Sequence, residues 1–266
     1  MRGVTAIAAG NSHSLALKSD GSVWTWGKLL GAPLGTAAGQ DNSKPGQVPG
    51  MTYVVAISAG GEFSLALESD GRVWSWGGEP EYGSKPELLR GLTGVVAVGA
   101  FESHILALRS DGPLWSWGRN DDGVLGHGNA ITTIPSPAPM MVTALNGVVA
   151  VSGASSHSLA LKGDGTVWAW GDNSEGQLGD GLLEHRSDED QFRTAPGLVP
   201  GLKNIVAISG GTYHSVALRR DGTVWTWGRN AEGQLGSWGP EEVRHTPVLV
   251  RRVQGSAPVA AAASRD

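Results

Sequence analysis

The chain has 266 residues, no cysteine, 41 glycines, eleven tryptophans and a formal net charge of −5. The absence of cysteine excludes a disulfide framework, a thiolate metal site and a cysteine nucleophile. The net negative charge disfavours a nucleic-acid partner bound by bulk electrostatics, and no apolar run approaches the roughly 18 residues that a membrane span needs.

The first predicted structural unit lies at the N-terminus and contains three short strands. Residues 4–8 form the first strand and residues 14–19 form the second. Asp20-Gly21 follows the second strand and is a strong signal for a tight hairpin, because a type I′ turn needs a positive φ at both central residues. Residues 22–26 then return as the third strand.

The third strand carries two tryptophans that are separated by one residue. Because side chains alternate across a strand, Trp24 and Trp26 share one face while Val23 and Thr25 share the other. Apolar groups on both faces predict a small sheet that is stacked between two others. For such tryptophan pairs we therefore favour core packing over a role as stacking platforms for bases or sugars.

The same unit recurs along the chain as a block of 23 residues without any insertion. In each block an alanine lies fourteen residues before an Asp-Gly pair, two tryptophans lie four and six residues after the Asp, and a glycine closes the block. The five blocks span residues 5–27, 55–77, 96–118, 149–171 and 206–228. The segments between them contain 27, 18, 30 and 34 residues. Constant spacing within blocks and variable spacing between them predict paired strands joined by surface loops.

The linkers supply a fourth strand, at segments such as residues 196–200 and 246–250. Three or four short antiparallel strands in a unit of 41 to 57 residues are typical of a propeller blade. We predict an all-β chain in which residues 1–266 form a single repeat domain, a β-propeller of five four-stranded blades. Residues 253–266 are either the start of a sixth unit, with residues 258–263 as its first strand, or a frayed tail.

The fourth block and the residues after it carry a recognisable repeat. Residues 149–153, 157–161, 164–171 and 173–179 read Val-Ala-Val-Ser-Gly, His-Ser-Leu-Ala-Leu, Asp-Gly-Thr-Val-Trp-Ala-Trp-Gly and Asn-Ser-Glu-Gly-Gln-Leu-Gly. This sequence resembles the repeat of the regulator of chromosome condensation family nearly letter for letter, and the fifth copy, residues 207–236, resembles it equally well. The resemblance covers almost the whole chain and implies a β-propeller of that family's type.

Other copies depart from this repeat. The Asn-x-x-Gly-Gln-Leu-Gly element is altered in the third copy (residues 120–126), degenerate in the first (residues 28–35) and absent from the second. The family's usual propeller has seven blades, whereas five repeats are found here.

The repeat count predicts how the ring closes. If the blades keep the packing of the seven-bladed family, five of them complete only about five-sevenths of a circle. We therefore predict an incomplete, open ring with an apolar blade face at each end, prone to pair with missing blades, another chain or itself. A closed five-bladed ring is the alternative, and direct packing of residues 5–27 against residues 206–228 would contradict the open ring.

Four histidines, one in each of four blocks, lie seven residues before the Asp of the turn. They are His13, His104, His157 and His214, and the second block has Phe63 at this position. A ring of imidazoles suggests a metal site or a proton relay. A constant offset in every block is also what a structural role produces, and we favour that role, with each histidine hydrogen-bonded inside its own blade. No metal ligand is predicted.

An acidic stretch lies in the longest linker. It contains Glu184, His185, Arg186, Asp188, Glu189 and Asp190. A solvated loop is the favoured interpretation. The alternative is a loop that binds a cation or a partner, because function in repeat proteins collects on loops that project from a shared face.

Searches for catalytic patterns find nothing. The chain has no Gly-x-Ser-x-Gly elbow, no His-Glu-x-x-His and no phosphate loop of the Walker type. We therefore predict no catalytic residue, no cofactor and no enzymatic activity, and instead a rigid propeller whose variable loops bind a protein partner. The resemblance implies an alternative, because the founding member of the family promotes nucleotide exchange on a Ran-type small GTPase and docks on chromatin.

The sequence leaves the compartment open. The N-terminus lacks the apolar core and the cleavage site of a secretory signal. The prediction is cytoplasmic by default, and secreted if the chain is a fragment of a longer protein.

Overall fold

The structure, a computed structural model, describes residues 1–28, 34–36, 42–77, 85–129, 132–182, 191–236 and 242–250. These residues form twenty β-strands in five antiparallel sheets of four strands, numbered here as blades 1 to 5 in chain order. The described residues contain no helix, and therefore none that is long and apolar enough to cross a membrane.

Each blade is a meander in which consecutive strands are neighbours. The strands are, in blade 1, β1 (Val4–Ala9), β2 (His13–Lys18), β3 (Val23–Gly27) and β4 (Gly46–Gln47); in blade 2, β5 (Val54–Ala59), β6 (Phe63–Glu68), β7 (Val73–Gly77) and β8 (Glu87–Leu88); in blade 3, β9 (Val95–Ala100), β10 (His104–Arg109), β11 (Leu114–Asn120) and β12 (Thr132–Met141); in blade 4, β13 (Val148–Gly153), β14 (His157–Lys162), β15 (Val167–Asp172) and β16 (Phe192–Leu198); and in blade 5, β17 (Ile205–Gly210), β18 (His214–Arg219), β19 (Val224–Arg229) and β20 (Val243–Leu249). The prediction of five four-stranded blades, each with a fourth strand drawn from a linker, is confirmed.

The hairpin between the second and third strands is tight in every blade, but its turn differs from the predicted type I′. In blade 1 the amide of Gly21 donates to the carbonyl of Lys18 at 2.9 Å, and Gly21 has a φ of 79°, whereas Asp20 has no positive φ. This is a type I turn followed by one left-handed glycine. The side chain of Asp20 supports it, because its Oδ1 accepts a hydrogen bond from the amide of Ser22 at 3.0 Å.

The hydrophobic core lies between neighbouring blades. Leu159 and Leu161 of blade 4 pack with Ile205 and Ile208 of blade 5, and the Trp227 ring completes this cluster. Similar clusters join blades 1 and 2, blades 2 and 3, and blades 3 and 4. Blades 2 to 4 are thus covered on both faces by their neighbours, as the apolar residues on both sides of the third strand predicted.

The two tryptophans of each block have different environments. The second tryptophan of blades 2 to 5 is at most 1% exposed, at Trp76, Trp117, Trp170 and Trp227. The first is half-buried and in four blades lies beneath a cation, for example with Lys18 Nζ 5.7 Å from the Trp24 ring and Arg219 Cζ 4.4 Å from the Trp225 ring. The prediction of core packing is therefore confirmed: in blades 2 to 5 the second tryptophan is buried in the core, and the first, although partly exposed, packs against the same core clusters.

The two ends of the blade series are open. Trp26 of blade 1 is only half-buried although its counterparts are buried, and Leu218 of blade 5 is 38% exposed although its counterpart Leu161 is 3% exposed. In the described part of the chain, no strand of blade 1 packs against a strand of blade 5 in the way that consecutive blades do. A closed five-bladed ring would bury both faces, so the described residues have the arrangement that the open ring predicts.

Candidate functional site on the loop face

One face of the propeller carries the Asn-x-x-Gly-x-Leu-Gly turns that follow the third strands of blades 3, 4 and 5. In each turn the Asn side chain accepts a hydrogen bond from the amide of the Leu five residues later, with Oδ1 to N distances of 3.0 to 3.1 Å. The three pairs are Asn120 with Leu125, Asn173 with Leu178, and Asn230 with Leu235. The Asn side chains are buried, so these hydrogen bonds are shielded from water. We call this surface the loop face.

The turns of blades 3 and 4 also bond to the next blade. The indole Nε1 of Trp170 donates to the carbonyl of Val124 at 2.6 Å, and Nε1 of Trp227 donates to the carbonyl of Gln177 at 2.8 Å. The second copy lacks the Asn-x-x-Gly-Gln-Leu-Gly element, and the Nε1 of Trp117, which follows it in blade 3, is buried without a partner in the described part of the chain. The repeat turn therefore supplies the acceptor that a buried indole N–H needs.

The histidines connect blades. Nε2 of His157 in blade 4 lies 2.8 Å from Oγ of Ser215 in blade 5, and Nε2 of His104 in blade 3 lies 2.9 Å from Oγ of Ser158 in blade 4. Because Ser215 Oγ donates to the Gln177 carbonyl at 2.9 Å, it accepts from His157, which places the proton on Nε2. The prediction that each histidine bonds within its own blade is wrong. The partner is in the following blade, and the structural role itself is supported.

Burial keeps these imidazoles neutral. It lowers the pKa of His104 and of His157 to about 3, and the second cause is the neighbouring histidine in each case. The interaction is therefore a neutral hydrogen bond between blades at ordinary pH, and the proton-relay alternative has no support. No group of three or more potential ligand side chains in the described ranges could hold a metal ion.

The predicted partner-binding residues, Glu184 to Asp190, lie outside the described residues. The structure does describe both sides of that segment. Arg193 donates from its guanidinium to Oδ2 of Asp180 at 2.9 Å, and the Asp180 side chain is only 4% exposed. The other carboxylate oxygen of Asp180 accepts from Asn173 Nδ2 at 3.2 Å and from the amide of Leu182 at 3.0 Å.

We call the Asp180–Arg193 ion pair the base clamp, because it joins the two ends of the acidic segment. Sequence reasoning did not identify either residue. The available signal was an Asp directly after the repeated Gln-Leu-Gly, at a position where the fifth copy has Ser237.

Further carboxylates lie on the loop face where blades 3 and 4 meet. Burial raises the pKa of Asp122 to about 6, with additional contributions from the charges of Asp172 and Asp121, which outweigh the opposite effect of Arg119. Asp172 is buried and accepts from Ser174 and from Gln177 Nε2 at 2.8 Å. The side of the loop face beside the base clamp is thus negatively charged at neutral pH.

A central opening is lined by the ends of the five inner strands and encloses about 600 Å³. At its rim Asn11 Nδ2 of blade 1 donates to Glu102 Oε1 of blade 3 at 2.8 Å, and the amide of Gly61 in blade 2 donates to the carbonyl of Phe101 at 3.0 Å. The rim is mostly glycine, alanine and backbone. It offers few side chains for chemistry.

Comparison with known proteins gives a match over nearly the full chain. The family model of the RCC1-like domain matches residues 1–265. The human E3 ubiquitin-protein ligase HERC2 is 34% identical over 144 residues, which are 50% of this chain and 3% of that protein. Protein pim1 of Schizosaccharomyces pombe is 33% identical over 122 residues, 42% of this chain and 23% of that protein. The chain therefore spans less than a quarter of the length of these relatives.

Two solved structures share the architecture. Prp20p from Saccharomyces cerevisiae, a structure reported with its binding to Gsp1p and histones, superposes with a TM-score of 0.81 at 24% identity, over 94% of this chain and 63% of that one. Human WBSCR16 superposes with a TM-score of 0.78 at 23% identity, over 92% of this chain and 67% of that one. At these identities the likeness supports the fold.

Proposed function

The chain belongs to the RCC1-like domain family, and from this premise we propose that it is a non-enzymatic scaffold that binds a protein partner through its loop face. The observation that carries the proposal is the base clamp, because it holds both ends of a long, acidic and non-repeating segment on a rigid surface. Fixing the two ends of a segment reduces the conformational entropy that the segment loses on binding. In this proposal the blades form the rigid support, and the side chains of the linker select the partner.

The charge of this region indicates the kind of partner. Five of the seven residues from 184 to 190 are charged. Four of them carry carboxylates and one is an arginine, so the segment is net negative. Asp121, Asp122 and Asp172 lie close together on the loop face. A partner with a basic surface would gain charge complementarity and a faster association at low salt.

The test is replacement of residues 184–190 by a Gly-Ser linker of equal length. The matched control replaces residues 237–241, which follow the equivalent turn of blade 5, in the same way. Affinity purification with quantitative mass spectrometry, from cells of the source organism, should show a partner that the first variant loses and the control retains. If both variants keep unchanged thermal stability and the same set of bound proteins, the loop is not the binding site.

A second candidate function is regulation of a small GTPase. It is supported by the family and by Prp20p, whose structure is reported with its binding to Gsp1p. Release of a fluorescent guanine nucleotide from a panel of Ran-type and other small GTPases tests it directly. Catalytic amounts of the chain that accelerate release would favour this function over a pure scaffold, and unchanged release rates would exclude exchange activity for the GTPases tried.

A further inference from the structure

Blade 3 lines the central opening differently from the other four blades. The loops between the first and second strands, called the inner loops here, form the wall of the opening. In four blades they contribute glycine, alanine or short polar residues, at Gly10-Asn11, Gly60-Gly61, Ala154-Ser155 and Gly211-Thr212. The inner loop of blade 3 contributes Phe101 and Glu102. Among the described residues that line the opening, Glu102 is the single ionisable one, so the lining contains a carboxylate and no cationic side chain.

The mouth of the opening lies on the loop face. In blade 4 the second strand begins at His157, which pairs with Gly171 beside the end of the third strand. The amide of Asp172 donates to the carbonyl of Ser156 at 2.8 Å, so the inner loop and the start of the repeat turn are bonded directly. A partner that binds the loop face therefore lies within reach of the opening.

The Glu102 carboxylate has a fixed position and a free oxygen. Its Oε1 accepts the hydrogen bond from Asn11 Nδ2 at 2.8 Å. It also lies against blade 2, where a methyl group on Gly61 would be only 3.0 Å from Oε1. Within the described ranges no other donor and no cation is bonded to this carboxylate, and Glu102 is exposed. Its Oε2 is therefore available to accept a hydrogen bond from a ligand.

The Phe101 ring lies next to this carboxylate and joins blades 3 and 4. It packs over Gly153 of blade 4, where a methyl group would collide with the ring. Its centroid lies 5.1 Å from that of the buried His104 ring. These contacts hold the ring, which still lines the opening and is partly exposed. An aromatic ring beside a carboxylate attracts organic cations, because the π-system and the negative charge both favour a positive group.

The lining fits an organic cation better than a metal ion. A metal ion needs more ligands than one carboxylate, and the part of the chain that the structure describes holds no group of three ligand side chains. A guanidinium group can donate to Glu102 and lie against Phe101 at the same time, because it is planar and carries several donors. The volume of about 600 Å³ accommodates the whole side chain together with the backbone that carries it.

We propose that the central opening binds an arginine side chain of a protein partner, with Glu102 as the carboxylate that pairs with the guanidinium and Phe101 as the ring that contacts it. This inference rests on the proposed function, and it identifies the group through which a basic partner engages the loop face. The acidic residues of the loop face attract such a partner over a longer distance. The opening then selects one side chain.

Binding of the blocked peptide acetyl-Gly-Gly-Arg-Gly-Gly-amide, measured by NMR titration, tests the inference. The peptide with citrulline in place of arginine should bind at least about tenfold more weakly, because citrulline keeps the shape and loses the charge. The variant E102Q should weaken binding of the arginine peptide by about tenfold. The control E232Q changes a glutamate that is exposed on the loop face outside the opening, and it should bind as the natural chain does. Equal binding by E102Q and E232Q, or equal binding of the two peptides, would overturn the proposal.

Amide shifts in the natural chain locate the peptide without any substitution. The amides of Gly61 and Gly153 line the opening and should move on titration. The amides of Gly112 and Gly222 lie in hairpins at the opposite end of the strands and should not move. Unchanged shifts at Gly61 and Gly153 in a titration that shows binding elsewhere would contradict the site.

Two further comparisons separate this inference from its alternatives. Ethylguanidinium carries the same head group without a backbone and should bind at least about tenfold more weakly than the peptide, whereas equal affinity would assign the opening to a free cation. The proposed function fails separately. An unaltered peptide affinity of E102Q overturns this inference but leaves standing any loss of a partner by the variant with the replaced linker. Retention of the partner by that variant overturns the proposed loop site and leaves the peptide affinities as they are.

Discussion

His157 of blade 4 and Ser215 of blade 5 form a fully buried hydrogen bond of 2.8 Å across the boundary between two blades. The same bond joins blades 3 and 4, and His13 Nε2 lies 3.0 Å from Ser64 Oγ across blades 1 and 2. The boundary between blades 2 and 3 has Phe63 and Ile105 instead, and both are 0% exposed in one core cluster. At this boundary Phe63 replaces the histidine and Ile105 replaces the serine. A polar pair and an apolar pair can therefore fill the same position between two blades.

The variant S215A should be destabilised more than the double variant H157F/S215I. Loss of the serine leaves the His157 Nε2–H buried without an acceptor, which costs about 1–3 kcal/mol. The double variant instead reproduces the Phe63–Ile105 pair. Urea unfolding of the natural chain, of the single variants H157F and S215I and of the double variant gives a double-mutant cycle, and we expect a coupling of about 1–2 kcal/mol in favour of the double variant. Additive single effects would show that the two positions act independently.

These interactions mark the limit of what the sequence predicts. The block spacing predicted the strands, their sheets and the core packing of the tryptophans, because those features depend on local alternation. The histidine partner lies 58 residues away in His157–Ser215, and it depends on how sheets stack. One signal for it was present, because the third copy has Ile105 where every other copy has Ser, one blade after Phe63 replaces His. The base clamp left a weaker signal, since Asp180 and Arg193 lie on either side of a segment that matches no other copy.

Removal of the indole N–H should cost more in blade 5 than in blade 3. Trp227 donates to the Gln177 carbonyl, whereas Trp117 Nε1 is buried without a partner in the described part of the chain. Both W227F and W117F lose similar packing volume, so the difference between them isolates the hydrogen bond. We expect W227F to be less stable than W117F by about 1 kcal/mol in urea unfolding. Equal losses would mean that the repeat turn does not stabilise the tryptophan through this bond.

The stability of the chain should depend on the ionisation of Asp122. Its folded-state pKa, about 6, lies above the ordinary value of 3.8, so the folded state binds the proton more tightly. The associated stabilisation is complete below the unfolded pKa and is lost as the pH rises through 6. The variant D122N should therefore melt at a higher temperature than the natural chain at pH 7.5, and this advantage should shrink towards pH 4.

Comparison of the two chains at each pH isolates this effect. The buried histidines oppose it, because their lowered pKa values reduce stability as the pH falls below about 6.5. They are unchanged in D122N, so their contribution cancels in the difference between melting temperatures. The exposed Asp111 provides the control variant D111N. A pH-independent difference for D122N would contradict the assignment.

Loss of the base clamp should loosen the acidic segment while the propeller stays folded. In R193A the Asp180 carboxylate keeps its bonds to Asn173 and Leu182 but loses its bond to the guanidinium, and its side chain is only 4% exposed. Removing one partner of a buried ion pair is destabilising. Because Arg193 is 24% exposed, water screens part of this effect, and we expect the free energy of unfolding to fall by about 2 kcal/mol.

Limited proteolysis measures the effect on the segment itself, and we expect faster cleavage of R193A at Glu184 and Glu189 by a glutamate-specific protease. The control E232A removes the exposed Arg229–Glu232 pair, whose atoms are 3.7 Å apart, and should leave both stability and cleavage unchanged. If R193A is cleaved no faster than E232A, the clamp does not order the segment, and this contradicts the proposed binding site.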